Sequence, residues 1–196
     1  MLGALRGGVQ SALESLGSGF LNHPANGALR DALFKNHTLS KQQFHEQLLR
    51  LVYRFLFLFT AEDRDLLFPR ELKADDPRRR IYREGYSVSR VRELAIKRSA
   101  YEGDYGDLWE LQRLVFQQLS IGNSPLGLPG LGGLFSLEQC QDLQGAELCN
   151  GPSLEAIKAI GWFDAGGTFP RVRIDQLMRF AWLFLIPVAL LTLPVA

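Results

Sequence analysis

Gln47-Leu48-Leu49-Arg50-Leu51-Val52-Tyr53-Arg54-Phe55-Leu56-Phe57-Leu58-Phe59-Thr60-Ala61-Glu62-Asp63-Arg64-Asp65-Leu66-Leu67 is the stretch that decides the fold. It reads as one long helix, apolar almost all round in its second half, that stops in a cluster of charges. A helix without a polar face cannot lie on the surface of a small domain, because each exposed large apolar side chain forgoes roughly 1.5–3 kcal/mol of burial. The stretch is therefore expected to form the central helix of an α-helical core. Its start is expected at Ser40, whose hydroxyl can accept from the Gln43 amide while the Gln43 side chain reaches back, a capping box. Its end is expected at Leu67, ahead of Pro69. Such a helix is about 42 Å long. Phe44, Leu48, Leu51, Val52, Phe55, Leu58 and Phe59 are its expected buried positions.

Upstream, Met1 to Phe20 reads as a helix with Leu2, Leu5, Val9, Leu13 and Leu16 spaced three or four apart. Gly17-Ser18-Gly19 is expected to close it as a C-cap. A loop through His23-Pro24-Ala25-Asn26-Gly27 then leads to a short helix from Ala28 to Phe34. Downstream, Arg70 to Tyr86 reads as a charged connector. A helix follows from Ser87 or Ser89 through Arg98, with Val91, Leu94 and Ala95 inward. Another, capped by Asp104 or Asp107, runs through Leu119 with Leu108, Leu111, Leu114, Val115 and Leu119 inward. Residues 122–135 form a glycine–proline loop, Ser153 to Ile160 a short helix, and Val172-Arg173-Ile174 suits a strand. Nothing alternates with period two for long, so the expected class is all-α. The architecture expected is a bundle around residues 40–67 with a Gly/Pro-rich loop and a short irregular C-terminal part. Three regions are expected: N-terminal helices over 1–39, a helical core over 40–175 and a hydrophobic tail over 176–196.

Across the 196 residues, 46% are hydrophobic and 22% charged, as in an ordinary globular protein. The net charge is +1, but it is unevenly placed. Arg70 to Arg98 holds ten Lys/Arg against five Asp/Glu, a net +5, which leaves the remainder at −4. Cys140 and Cys149 have no second pair and no nearby histidine, which argues against a zinc site or a disulfide scaffold. A reducing, cytoplasmic compartment is the expectation, and Met1 to Gly8 lacks the apolar core of a signal peptide. Phe180 to Ala196 carries no charge over 17 residues, short of the ~20 that a spanning helix needs and interrupted by Pro187.

Several strings together carry a resemblance. They are Leu16-Gly17-Ser18-Gly19-Phe20-Leu21 with His23-Pro24-Ala25-Asn26, the helix Leu49 to Leu67, Tyr86-Ser87 and Asp107-Leu108-Trp109. Leu126-Gly127-Leu128-Pro129-Gly130-Leu131-Gly132-Gly133-Leu134-Phe135 and Ala159-Ile160-Gly161-Trp162 complete the series. In order and spacing, the chain resembles the helical block ahead of the methylase core in type IIG-like restriction–modification enzymes. These are adenine-specific DNA methyltransferases, with related phage-defence methylases. The resemblance implies S-adenosylmethionine and Mg2+ for the parent family, and nuclease and methylase portions as the missing partners. The family carries a nuclease-like segment before the first helix, and runs on past a segment like Val172-Arg173-Ile174-Asp175 into the methylase. This chain is therefore expected to be a fragment lacking both ends, with a tail read from unrelated or frame-shifted sequence.

The family's catalytic signatures do not follow. Gly17-Ser18-Gly19-Phe20-Leu21 matches the wording of the cofactor turn, but the residues ahead of it are helical in pattern and no Asp-Pro-x-Cys precedes it. The Asn-Pro-Pro-Tyr-like tetrapeptide that holds a flipped adenine is absent, since no Pro-Pro pair occurs. Glu71-Leu72-Lys73 has the spacing of a metal-dependent nuclease, but Glu62, Asp63 and Asp65 end a helix and not a strand, so solvated charges are the expected account. No catalytic, cofactor or metal residue is assigned, and no cofactor is expected in this chain. If the chain contacts DNA at all, the contact is expected to be weak, without sequence preference and through Arg78, Arg79, Arg80, Arg83, Arg90 and Arg92. The expected role is a non-catalytic segment that positions DNA and links the nuclease and methylase parts. The competing expectation is a small helical interaction protein anchored in a membrane through residues 180–196.

Overall fold

The structure is a computed structural model that describes residues 2–101 and 103–161. The strand expected at Val172–Ile174, the apolar run 180–196 and the frame-shift reading of that tail lie outside the described residues. Those residues are all-α: helices and short 3-10 turns, with one isolated bridge between Asn123 and Leu128 and no strand.

The central helix, here α3, runs over Lys41–Asp63 and starts as expected. The Ser40 hydroxyl accepts from the Gln43 amide at 3.1 Å, and the Gln43 side chain accepts from the Ser40 amide at 2.9 Å. Its end is a correction: the helix stops at Asp63, not Leu67. Leu66 N–H donates to the Ala61 carbonyl and Asp65 N–H to the Glu62 carbonyl, with Asp65 left-handed at φ 55°. That is a Schellman closure, usually built on glycine. With Asp in the turn position, no stop signal stands in the sequence, and Leu67 and Phe68 fold back into the core instead of extending the helix.

All seven apolar positions expected inside α3 are buried. The helix is nevertheless not apolar all round its inner face. Gln47 and Arg54 are buried with them, while Phe57 is 41% exposed.

Helix α1 spans Leu2–Asn22, straight through the expected stop. Gly17-Ser18-Gly19 is neither a C-cap nor a cofactor turn but helix interior, on a buried stripe of Ala12, Leu16 and Phe20. A Cβ on Gly19 would lie 2.5 Å from the Pro152 Cβ, so this glycine is what lets α8 (Asn150–Gly161) lie against α1. Close packing there offsets the ~1 kcal/mol that glycine costs a helix. Phe20 then meets Trp109 edge-on, ring centroids 5.3 Å apart. Helix α2 covers Gly27–Phe34, as the sequence suggests.

Residues 70–86 are not a plain connector. Asp76 caps helix α4 (Pro77–Gly85), accepting from Arg78 N–H at 2.9 Å with Pro77 opening the first turn. Ser87 caps α5, which is shorter than expected and spans Val88–Leu94; a 3-10 turn, Arg98–Tyr101, follows. Helix α6 covers Asp107–Ile121 and is capped by neither Asp104 nor Asp107. Asn150, from α8, accepts from Leu108 N–H at 3.1 Å and supplies the cap from across the fold. On α6, Leu108, Val115 and Leu119 point inward as expected, with Trp109, Gln112 and Phe116; Leu114 instead is 43% exposed.

The 133–149 segment, including the single turn α7 (Gln141–Gln144), wraps α3 and α6 with little regular structure. Helix side chains satisfy its backbone, as buried irregular chain requires. Arg54 donates to the Leu134 and Ser136 carbonyls at 2.9 Å each. Gln47 accepts from Asp142 and Leu143 N–H, Trp109 donates to the Ala146 carbonyl, and Asn26 both donates to and accepts from the Glu147 backbone. Burial lowers the Arg54 pKa and raises that of the neighbouring Cys140 thiol. Among the described residues no helix is long and apolar enough to cross a membrane.

Candidate nucleic-acid interface

The six arginines expected to face DNA lie on α4 and α5, and the turn that ends α3 brings carboxylates into their midst. Asp63 and Asp65 are exposed, as expected of solvated charges, but both are paired with arginines, and Glu62 is half-buried and bonded. Glu62 accepts four hydrogen bonds, from Val88 and Ser89 N–H at 2.9 Å each, the Ser89 hydroxyl at 2.7 Å and the Tyr82 hydroxyl at 2.8 Å. It thereby ties the start of α5 and the inner face of α4 to the end of α3. Burial, reinforced by the Glu62 charge and its hydrogen bond, holds the Tyr82 pKa well above the usual tyrosine value.

The arginines divide by what they touch. Arg79 is buried, its side chain 7% exposed; it bonds both Asp65 oxygens and the Leu72 carbonyl and lies over the Phe68 ring at 4.9 Å. Arg78 is held by the Asp76 carboxylate through two bonds at 2.9 and 2.8 Å, which pull the Asp76 pKa down to about 2. Arg92 reaches Asp63 at 3.4 Å and covers the Phe59 ring. Arg83 shares Asp65 with Arg79 but is exposed. Arg90 is exposed and donates to the Gly85 carbonyl at 3.3 Å. Arg80 is exposed and makes no ion pair among the described residues. The structure therefore brings all six onto one pair of helices but leaves Arg80, Arg83 and Arg90 as the outward-facing ones.

A cleft of about 540 Å3 opens between these elements, lined among others by Glu62, Asp65, Arg83, Glu84, Arg90 and Glu93. Carboxylates outnumber guanidiniums on its walls, and its two arginines, Arg83 and Arg90, are themselves exposed. The sequence reading missed the acidic half of the cluster. Its signal was present, in that Glu62-Asp63-Arg64-Asp65 precedes the arginine run by a turn's length and can fold back on it.

Elsewhere the chemistry thins out. Leu72 is buried between exposed Glu71 and Lys73, and its N–H closes a turn onto the Pro69 carbonyl at 3.0 Å, so Glu71 and Lys73 are solvated charges. Among the described residues no group of three or more His, Cys, Asp or Glu is placed to hold a metal ion. Cys140 and Cys149 are free thiols. No family model matches the chain, and no curated protein and no solved structure matches it either.

Proposed function

We propose that the chain is a non-catalytic helical segment of a DNA restriction–modification enzyme of the adenine-specific, S-adenosylmethionine-dependent kind. Its role is to hold the DNA backbone while linking nuclease and methylase portions in a cytoplasmic protein. The observation that carries the reading is the exposed trio Arg80, Arg83 and Arg90 on helices locked in place by Glu62 and Asp65. The ordered likeness of the sequence strings supplies the enzyme class. Phosphate contacts of this kind position DNA without reading its sequence. S-adenosylmethionine and Mg2+ belong, on this reading, to the portions of the parent outside this chain.

Fluorescence anisotropy with mixed-sequence duplexes over a salt series tests it. Binding is weak, indifferent to sequence and falls by about 0.9 in log K per log salt for each phosphate neutralised. Replacing Arg80, Arg83 and Arg90 together by alanine weakens binding equally on all duplexes and flattens the slope. An unchanged slope in that variant sinks the interface, and methyl transfer from labelled S-adenosylmethionine by the purified chain sinks the non-catalytic assignment.

A further inference from the structure

Resting on that reading, we infer that Asp65 is a built-in competitor for the DNA backbone: its carboxylate occupies the Arg83 guanidinium in the place a phosphate would take. Asp65 Oδ1 accepts from Arg83 Nη2 at 2.8 Å and from Arg79 Nη1 at 2.9 Å, while Oδ2 accepts from Arg79 Nη1 at 2.8 Å. The two arginines are not equivalent. Arg79 is 7% exposed and stays with Asp65, whereas Arg83 is 51% exposed and can swing out. An ion pair this open to water is weak enough for a phosphate to displace. Asp65 is fixed independently of the arginines, because its backbone closes α3 at φ 55°. When Arg83 leaves for a phosphate, Asp65 keeps the Arg79 guanidinium and a counterion leaves the DNA. The competition therefore lowers the affinity of the native chain, while the salt slope still counts Arg83 with Arg80 and Arg90.

Asp65→Asn tests this without disturbing the backbone, since asparagine tolerates the left-handed conformation and keeps the side-chain shape. Measured as anisotropy against a mixed-sequence duplex and normalised to the folded fraction from urea denaturation, affinity rises about fivefold, the equivalent of ~1 kcal/mol. The slope stays the same, since Arg83 neutralises a phosphate in both chains. Asp65→Asn combined with Arg83→Ala shows no gain in affinity. Because Asp65→Asn also strands the buried Arg79 charge, the same measurement runs on Asp65→Asn with Arg79→Met, which removes both partners and leaves Arg83 free. Unchanged or weaker binding in both of those variants, with the native chain binding DNA, overturns the competition and leaves the DNA reading standing. A gain that survives the loss of Arg83 overturns it as well. No binding by the native chain or by either variant sinks the DNA reading and this inference with it, whereas binding that appears only in the variants supports the competition.

Discussion

Arg54 and Arg79 are both buried, both lie over a phenylalanine ring and both leave one guanidinium nitrogen without a partner among the described residues, yet their charges are met in opposite ways. Arg54 faces carbonyl oxygens of the 133–149 segment and, among the described residues, no carboxylate. Arg79 faces Asp65, itself 45% exposed to water. The first arrangement ties irregular chain to a helix through uncharged acceptors in a dry place, and neither salt nor ordinary pH reaches it. The second ties helix ends together at the surface through charge, where both reach it. Stability in the core region should thus be indifferent to ionic strength, and surface ion pairs such as the cluster around Asp65 should carry the salt dependence of the fold.

The largest effect expected strikes the support of the inner arginine. Phe55 meets Phe116 edge-on at 5.4 Å, and Arg54 lies over that same Phe116 ring at 5.4 Å. Phe55→Ala should cost on the order of 3–5 kcal/mol in urea denaturation, enough to unfold a marginal domain. A loss below 1 kcal/mol would mean that the helix is not the centre of the core. Arg54→Met separates two opposing terms. Losing the donors to Leu134 and Ser136 costs roughly 1–3 kcal/mol for each carbonyl left dry, while removing a buried unpaired charge returns part of that. A net loss of about 2 kcal/mol, equal at low and high salt, is the expected result; a more stable variant would show that the charge, not the hydrogen bonds, dominates there.

What could be read from the sequence follows from how local each signal is. The start of α3 was legible because Ser40 and Gln43 make their cap three residues apart. Its end was not, because Asp65 takes a turn position that glycine usually marks and is held there by its own backbone bonds, its carboxylate meeting arginines 14 and 18 residues on. The Asp76-Pro77 start of α4 was written plainly but masked by the surrounding charge. Arg54 gave no sign at all, since its partners are the backbone carbonyls of a loop 80 and 82 residues away, which no side-chain pattern encodes. At the candidate interface the arginines were legible as a run; which of them face outward depended on Glu62, Asp63 and Asp65 folding back upon them.

A smaller effect sharpens the outer half of the comparison. Glu62 receives two backbone and two side-chain hydrogen bonds, so Glu62→Gln keeps one acceptor and loses the charge that strengthens all four. The expected cost is about 1–2 kcal/mol. Hydrogen exchange should show faster loss of protection at the Val88 and Ser89 amides than in α1 or α8. Uniform loss across the chain would mean that Glu62 supports the whole fold and not the junction of α3, α4 and α5.

The smallest effect concerns Asp76, whose side chain is 20% exposed and whose pKa falls from the ordinary 3.8 to about 2 through its bonds with Arg78. A carboxyl more acidic folded than unfolded favours the folded state wherever it is ionised there. The contribution is complete at pH values above about 4 and fades as pH falls from 4 towards 2, where the carboxyl is protonated in the unfolded chain before it is in the folded one. Asp76→Asn keeps a capping oxygen for the Arg78 amide but removes the titration. Thermal midpoints measured from pH 6 to pH 2 should therefore fall less steeply below pH 4 in the variant than in the native chain, with the two curves parallel above it. Because the pair is open to water, 0.5 M salt should shrink the difference between the curves. Parallel curves throughout would show that Arg78 and Asp76 part in solution, leaving Arg78 as one more outward arginine on α4.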